Sequence, residues 1–330
     1  MQEDDAAGRG FRHERRKRGS PDCAPLELTL SRGLLDPLRK ISVWKRGSRR
    51  APHKPLLLLL ALAEVQRGGD RWLRFAAVEE RFEGLLQAFG PPTRSYHPEY
   101  PFWRLQKDGD FWEIPEREGA IALRGERLRT GDVPRSILRS VDARGGFSEP
   151  VFAVLQARPD LVAELTAKIL EEHFEASFHE DILDAVGMPW VPQLSARGRR
   201  SVEFREDLVR LYEHRCAVCG FDGMLGANQF ALEAAHVQWH AHGGPDQPEN
   251  GVLLCSLHHK AFDRGALGLS EDRVILVSQH LHGGPQVTET LVRFAGRPLS
   301  RPLEPEKVPS PIFIRWHLKE VFRDPARRVE

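Results

Sequence analysis

Cysteine is scarce in this chain, with four residues among 330. So small a number excludes a scaffold built on disulfides and favours metal binding in a reducing compartment. Long apolar runs are lacking too, because the most apolar stretch, residues 56–63, is far too short to cross a membrane. The acidic start, residues 1–5, has no apolar signal-peptide core. We therefore expect a cytoplasmic protein with no membrane partner.

A net charge of one sign is lacking as well, since 48 Lys and Arg oppose 47 Asp and Glu. The distribution of charge is more informative than its total, because a local basic cluster is enough to bring a phosphate backbone close. One such cluster lies within residues 12–18 and a second within residues 45–54. The first is either a disordered solubilising tail or an arm that contacts DNA.

Three of the four cysteines fall in a pattern that binds metal. Cys216 and Cys219 form a C-x2-C knuckle, and Cys255 and His258 form a second knuckle of C-x2-H type. Thiolate and imidazole ligands from two knuckles can close a tetrahedral shell around Zn²⁺. The spacing therefore predicts one structural zinc site.

Three polar residues are placed between and just after these knuckles. His236 ends a short apolar segment, Asn250 follows 14 positions later, and His259 lies 23 positions after His236. The arrangement resembles the HNH nucleases, whose ββα-metal fold hydrolyses phosphodiesters. The resemblance implies that His236 is the general base on water and that Asn250 orients this imidazole or its strand. It implies that His259 binds a divalent cation, Mn²⁺ or Mg²⁺, that stabilises the scissile phosphate.

The residues expected to bind that cation differ from those of the HNH family at one position. Many HNH sites carry an acidic ligand directly before the base, where this chain has Ala235. His259 and Asp263 are four residues apart in a predicted helix and would share one face, so they can hold a cation together. Asp263, Glu233 or a water molecule is expected to compensate for Ala235.

Hydrophobic patterning predicts an α+β protein with a mainly helical N-terminal domain. The predicted helices there cover residues 34–44, 55–66, 75–89, 150–174 and 178–186, and the short strands cover residues 102–105, 112–114 and 120–123. Prolines and glycines in residues 187–200 predict a linker. A helix follows over residues 201–212 with Ser201 as N-cap. Residues 273–277 read as a strand and residues 312–322 as a closing helix.

Two short motifs in the N-terminal half suggest what it recognises. Pro52-His53-Lys54-Pro55 opens a predicted helix, and Tyr100-Pro101 lies in an aromatic run that continues to Leu105. Together they resemble the sulfur-binding domain of phosphorothioate-dependent restriction endonucleases, a family that joins this domain to an HNH nuclease. The resemblance implies a small apolar cavity for the sulfur that replaces a phosphate oxygen. The expected sulfur and DNA contacts are Arg49, Arg50, His53, Lys54, Tyr100, Pro101 and Arg104.

These features combine into one hypothesis and two alternatives. We predict a flexible basic arm (1–25), a sulfur-binding domain (26–186), a linker (187–200) and an HNH domain (201–330). The chain would recognise phosphorothioated double-stranded DNA in a prokaryotic cytoplasm, lie on the nucleoid when bound, and cut nearby, with a homodimer as one way to cut both strands. The alternatives are an HNH endonuclease that reads a methylated or otherwise modified base, and a non-catalytic zinc-stabilised DNA-binding adaptor.

Overall fold

The computed structural model describes residues 35–38, 52–125, 131–188, 202–226 and 228–328. The predicted basic arm, most of the predicted linker and the predicted N-cap Ser201 lie outside these ranges. Within them the chain combines helices with small antiparallel sheets, which confirms the α+β class. None of the helices in these ranges is both long enough and apolar enough to cross a lipid bilayer.

The N-terminal part, meaning the described residues up to 188, is built around one buried helix. This helix, α1 (His53–Gln66), is apolar on all sides, and residues 55–63 are all buried, as expected for a helix at the centre of a core. The other helices are α2 (Phe75–Phe89), α3 (Glu99–Arg104), α4 (Arg117–Arg124), α5 (Arg135–Ser140), α6 (Glu149–Ala157), α7 (Pro159–His173) and α8 (His179–Val186). Helices α2, α3, α6, α7 and α8 pack directly against α1.

The N-terminal part also contains a three-stranded antiparallel sheet. Its strands are β1 (Trp72–Arg74), β2 (Trp112–Glu113) and β3 (Arg144–Phe147), with β3 in the middle. The Trp112 ring contacts Phe102 at 6.2 Å and Phe147 at 5.9 Å, both edge to face. Phe102 and Trp103 are both buried, so the aromatic run contributes mainly to the core, as expected.

Two of the predicted strands are wrong. Residues 102–105 belong to α3 and to the 3-10 turn Leu105–Lys107 that follows, and residues 120–123 belong to α4. The first error came from the β-propensity of the aromatic side chains. Pro101 lies in the first turn of α3, where its missing N–H leaves no helical hydrogen bond unmade.

The long helix predicted over residues 150–174 is interrupted. It consists of α6 and α7, which meet at Arg158 with φ −132° and ψ 77°. Arg158 precedes Pro159, and a proline ring disfavours the helical conformation of the residue before it. One proline therefore causes the interruption, and the apolar spacing, which continues across it, gave no sign of the break.

The C-terminal part, residues 202–328, consists of short elements around a second core. Its helices are α9 (Val202–Leu211), α10 (Ser256–Asp263), α11 (Pro285–Thr290) and α12 (Pro311–Glu320). Its strands form three antiparallel hairpins: β4 (Met224–Leu225) with β5 (Asn228–Gln229), β6 (Leu232–His236) with β7 (Gly251–Cys255), and β8 (Leu267–Leu269) with β9 (Ile275–Val277). Strand β9 and helix α12 occupy the positions that the sequence predicts for a strand and a closing helix.

The two parts are packed against each other. Trp239 and Trp316 come from the C-terminal part, yet both are buried in the core of the N-terminal part. The Trp239 ring lies 5.2 Å from Phe178 and 5.8 Å from Trp316. Because Trp239 is 0% exposed, this contact excludes water from a large aromatic surface.

Candidate active site

The residues of the predicted nuclease motif meet on a strand–strand–helix unit. Strands β6 and β7 pair antiparallel so that His236 lies opposite Gly251, and α10 follows β7 directly. Asn250 immediately precedes β7, and His259 lies in the middle of α10. Helix α10 packs against both strands. The ββα arrangement implied by the resemblance to HNH nucleases is therefore present.

His236 is held on two sides. Its Nε2 lies 2.7 Å from Asp246 Oδ1, and its ring stacks on Phe204 at 4.5 Å with an interplanar angle of 16°. A carboxylate only accepts hydrogen bonds, so the proton of the neutral imidazole resides on Nε2. Its Nδ1 has no hydrogen-bond partner among the described residues and is the nitrogen left to accept a proton.

Asn250 fixes the loop between the two strands. Its side chain is 0% exposed. Its Oδ1 accepts from the Gln238 N–H at 2.8 Å, and its Nδ2 donates to Gln238 O at 2.9 Å and to Pro245 O at 3.1 Å. These bonds hold Gln238 and Pro245, which directly precedes Asp246, against the start of β7. Asn250 therefore contacts the loop next to Asp246, and its role in orienting His236 stays a prediction.

His259 lies between two carboxylates. Its Nδ1 is 2.6 Å from Glu233 Oε2, and its Nε2 is 3.1 Å from Asp263 Oδ2. The Ser256 hydroxyl donates to the other oxygen of Glu233 at 2.7 Å. Burial opposes the charged imidazole, but the charge of Asp263 and the hydrogen bonds to both carboxylates raise the pKa of His259 to about 9.

This geometry gives the two carboxylates different roles. Glu233 accepts the proton of Nδ1, which leaves Nε2 as the nitrogen that faces Asp263. An imidazole nitrogen and a carboxylate oxygen thus lie together on neighbouring turns of α10, and both are atoms that can bind a divalent metal ion. Burial opposes the ionisation of Asp263, but the charge of His259 keeps the pKa of that carboxyl below its usual range. Ala235 is 0% exposed and offers no ligand.

The four residues predicted to bind zinc form one compact cluster. A ligand atom from each of Cys216, Cys219, Cys255 and His258 lies within 4.8 Å of the others, and this is the one such group found in the described residues. His258 Nε2 donates to Thr290 O at 2.9 Å, which leaves Nδ1 facing the sulfurs. Hydrogen bonds from Cys219 and Cys255 lower the pKa of the Cys216 thiol, which favours its thiolate form. The three sulfurs and one nitrogen fit tetrahedral Zn²⁺.

The two motifs expected to bind sulfur lie on neighbouring helices. His53 and Lys54 open α1, and Tyr100, Pro101 and Arg104 lie on α3, which packs against α1. Pro101 is buried, whereas Tyr100 is half-buried and stacks on a histidine ring at 4.8 Å. The folded chain thus brings the two motifs together, while Arg49 and Arg50 lie outside the described residues.

Two of the expected DNA contacts are paired with acids. The Lys54 ammonium lies 2.7 Å from Asp108 Oδ1. Arg104 donates to both oxygens of Asp132, at 2.8 and 2.6 Å, with its guanidinium 4.8 Å from the centre of the Tyr100 ring. The Asp132 pair uses Nε and Nη2 of Arg104. Nη1 takes no part in this pair.

Sequence reasoning missed three residues of this site. Asp246 lies in a loop that reads as an ordinary turn, and Phe204 lies on α9, which reads as a plain amphipathic helix. Ser177, whose hydroxyl donates to Asp263 Oδ2, lies 86 positions away in the N-terminal part. The position of Asp246 ahead of Asn250 could have drawn attention to it, but no sequence signal links Ser177 to Asp263.

Comparison with known proteins agrees with both halves of this description. A family model described as a ScoMcrA-like DNA sulfur-binding domain matches residues 31–190, and one described as an HNH endonuclease matches residues 216–270. No curated protein matches the chain.

Several solved structures are similar to this chain over about half of its length. The sulfur-binding domain of ScoMcrA complexed with phosphorothioated DNA is 21% identical with a TM-score of 0.40, over 49% of this chain and 97% of that chain. The sulfur-binding domain of SprMcrA complexed with phosphorothioated DNA is 23% identical with a TM-score of 0.39, over 48% of this chain and 94% of that one. The type IV phosphorothioation-dependent restriction endonuclease ScoMcrA is 22% identical with a TM-score of 0.37, over 46% of this chain and 33% of that one.

The HNH match, together with the ββα unit, shows that the chain contains an HNH endonuclease domain, which supports a DNA endonuclease. Ahead of its nuclease it carries a ScoMcrA-like DNA sulfur-binding domain. The predicted combination of these two modules is thereby confirmed.

Proposed function

We propose that this protein is a modification-dependent endonuclease that binds phosphorothioated duplex DNA and hydrolyses a phosphodiester nearby. One observation carries the proposal. The same chain contains a match to the DNA sulfur-binding domain and a ββα unit with His236, Asn250 and His259 in the positions of the HNH motif. We propose the division of the chain into an arm (1–25), a sulfur-binding domain (26–186), a linker (187–200) and a nuclease domain (201–330).

In the proposed reaction His236 is the general base. Its Nδ1 takes a proton from the attacking water, while Asp246 on Nε2 stabilises the imidazolium that results. His259 and Asp263 would hold the divalent cation, Mn²⁺ or Mg²⁺, which supplies Lewis acidity at the scissile phosphate. Cys216, Cys219, Cys255 and His258 would hold Zn²⁺ in a purely structural role, since four protein ligands leave no open position.

The proposed basis of recognition is the difference in hydration between sulfur and oxygen. Sulfur is larger, more polarizable and more weakly hydrated, so Tyr100 and Pro101 can surround it at little desolvation cost. An ordinary phosphate oxygen in the same place would lose water without gaining hydrogen bonds, at a cost of roughly 1–3 kcal/mol each. Arg49, Arg50, His53 and Lys54 would hold the flanking phosphates, and Arg104 would reach a base edge through Nη1.

Cleavage of both strands requires more than one encounter with a single centre. We propose that two chains act together on one duplex, as a homodimer. Gel filtration of the protein with and without DNA tests this directly. Elution of the complex at the mass of one chain plus duplex would overturn the dimer without affecting the rest of the proposal.

The decisive experiment uses one short duplex with and without a single stereodefined phosphorothioate. Binding and nicking are measured in Mn²⁺ and in Mg²⁺, for the intact chain and for His236→Ala. We expect sulfur-dependent binding by both proteins and sulfur-dependent nicking by the intact chain alone. Equal binding to both duplexes would refute sulfur recognition. A methylated duplex assayed in parallel then tests whether the protein recognises a modified base instead. Binding without nicking in either cation would refute catalysis and indicate a zinc-stabilised adaptor.

A further inference from the structure

The N-terminal part touches the helix that carries the proposed cation ligands. A 3-10 turn, Ala176–Phe178, connects α7 and α8 and packs against α10. At this contact the Ser177 hydroxyl donates to Oδ2 of Asp263. This is the same oxygen that lies 3.1 Å from His259 Nε2. One residue of the sulfur-binding half thus bonds directly to a residue of the nuclease site.

Further contacts around this hydrogen bond hold the 3-10 turn in place. Arg264, the residue after Asp263, forms an ion pair with Asp181 on α8. Its guanidinium also lies 5.0 Å from the ring centre of Phe178 and 5.1 Å from that of Phe89. Four groups of the N-terminal part therefore surround the C-terminal end of α10, and three of them bind one arginine.

A second anchor lies at the end of α2. The Arg323 guanidinium donates to Gln87 O at 3.0 Å and to Gly90 O at 3.1 Å. Carbonyls at a helix C-terminus lack helical partners and carry partial negative charge, so a guanidinium there is well placed. Together with the buried Trp239, this contact keeps the two parts in one arrangement.

The chemistry of Asp263 makes the Ser177 bond consequential. Asp263 is 3% exposed, and a carboxylate removed from water must receive hydrogen bonds from the protein. The partners that the structure gives its Oδ2 are Ser177 and His259. A cation placed at His259 Nε2 would displace the imidazole proton, so the hydroxyl of Ser177 would then be the group that keeps Oδ2 aimed at the ion.

We infer that Ser177 is a positioning residue of the nuclease, through which the sulfur-binding half completes the cation site. The inference rests on the proposed function, because it takes Asp263 as a cation ligand. Ser177 touches neither the cation nor the DNA. It acts by fixing the carboxylate that binds the cation.

The test measures cation binding by the full chain without DNA. The zinc-loaded protein is titrated with Mn²⁺, and the free ion is followed by electron paramagnetic resonance, for the wild type, Ser177→Ala and Ser177→Thr. Ser140→Ala is the matched control, since the Ser140 hydroxyl is exposed and donates only to a carbonyl of its own helix. Nicking is then measured against Mn²⁺ concentration for the same proteins.

We expect Ser177→Ala to bind Mn²⁺ roughly tenfold more weakly, the effect of losing one hydrogen bond to a charged group. Its half-saturating Mn²⁺ concentration for nicking rises by the same factor, while its maximal rate and its affinity for phosphorothioated DNA stay unchanged. Ser177→Thr, which keeps the hydroxyl, restores wild-type binding, and Ser140→Ala matches the wild type.

Asp263→Ala separates the two ways in which the inference can fail. If Asp263→Ala weakens Mn²⁺ binding but Ser177→Ala does not, Ser177 has no positioning role and the proposed function stands. If Asp263→Ala also binds Mn²⁺ like the wild type, the proposed cation site itself is wrong, and the inference falls with it. Thermal unfolding of each variant distinguishes a local effect from loss of the fold.

Discussion

Asp246 Oδ1 lies 2.7 Å from Nε2 of His236, so the imidazole proton is held on the side away from the free nitrogen. We predict that Asp246→Asn lowers the nicking rate roughly a hundredfold, within the range that general-base catalysis contributes. The amide of asparagine can donate to Nε2, which shifts the imidazole proton to Nδ1, where it blocks acceptance from water. Single-turnover nicking at saturating protein measures the effect.

The matched control for this variant is Asp222→Asn, which removes one negative charge from an exposed side chain of the same part of the chain. It should nick at the wild-type rate, and both variants should bind DNA with unchanged affinity. A wild-type rate in Asp246→Asn would show that this carboxylate does not set the tautomer of His236.

The four-residue metal cluster predicts a strong dependence of stability on one cysteine. Cys216→Ser should lose bound zinc and unfold the C-terminal part, because structural zinc contributes about 10–16 kcal/mol in small zinc domains, against a total stability of roughly 5–15 kcal/mol for a typical domain. Metal analysis and thermal unfolding measure both effects. Cys23→Ser changes the one cysteine outside the cluster and should leave zinc content and unfolding temperature unchanged. Retention of zinc by Cys216→Ser would contradict the assignment.

Gly251 allows Phe204 to reach His236. A Cβ at this position would lie 2.6 Å from Leu208 Cδ1 and 2.8 Å from Phe204 Cε2. We therefore expect Gly251→Ala to reduce the free energy of unfolding by about 1–3 kcal/mol and to slow nicking as the Phe204 ring moves. Urea unfolding and nicking assays test both.

Gly119→Ala on α4 is the control, since an added Cβ there meets no atom within 4 Å. Alanine is the better helix former, so this variant should be as stable as the wild type or more stable by about 0.5–1 kcal/mol. If Gly251→Ala behaves in the same way, the close packing of Phe204 does not matter for the site.

Tyr100 provides the sharpest test of the proposed sulfur contact. Tyr100→Ala should bind a phosphorothioated duplex no more tightly than an unmodified one, because the apolar surface next to the sulfur is lost. Tyr100→Phe keeps the ring and should keep the preference. Fluorescence anisotropy on the two duplexes measures the ratio of affinities, and a preserved ratio in Tyr100→Ala would place the sulfur elsewhere.

The sequence predicts those features that local patterns determine. The helix expected over residues 75–89 is the helix Phe75–Phe89, because its apolar spacing marks a single buried face. The four residues predicted to bind zinc come together because two knuckles of fixed spacing can meet in few ways. By contrast, the strand predicted over residues 102–105 is helical, since the aromatic propensity was outweighed by packing against α1.

The residues that contact the motif residues, such as Asp246 and Ser177, could not be predicted in this way. Asp246 reaches His236 only because Asn250 closes the intervening loop, and Ser177 reaches Asp263 only because the two parts of the chain pack together. Neither contact has a period, a spacing or a composition that a single sequence reveals. Motif positions can be predicted from the sequence, whereas the groups that orient them depend on tertiary structure.

The burial of Trp239 and Trp316 in the N-terminal core limits how freely the two modules can be exchanged. A chimera that joined residues 202–328 to an unrelated reader domain would expose two indole rings and leave the Arg323 guanidinium without its helix-end carbonyls. A functional chimera must therefore keep the N-terminal surface around Phe178. Otherwise, the new domain must bury Trp239 and Trp316 with a surface of the same shape. An exchange of domains in this protein therefore has to preserve the interface between the two parts as well as the catalytic motif.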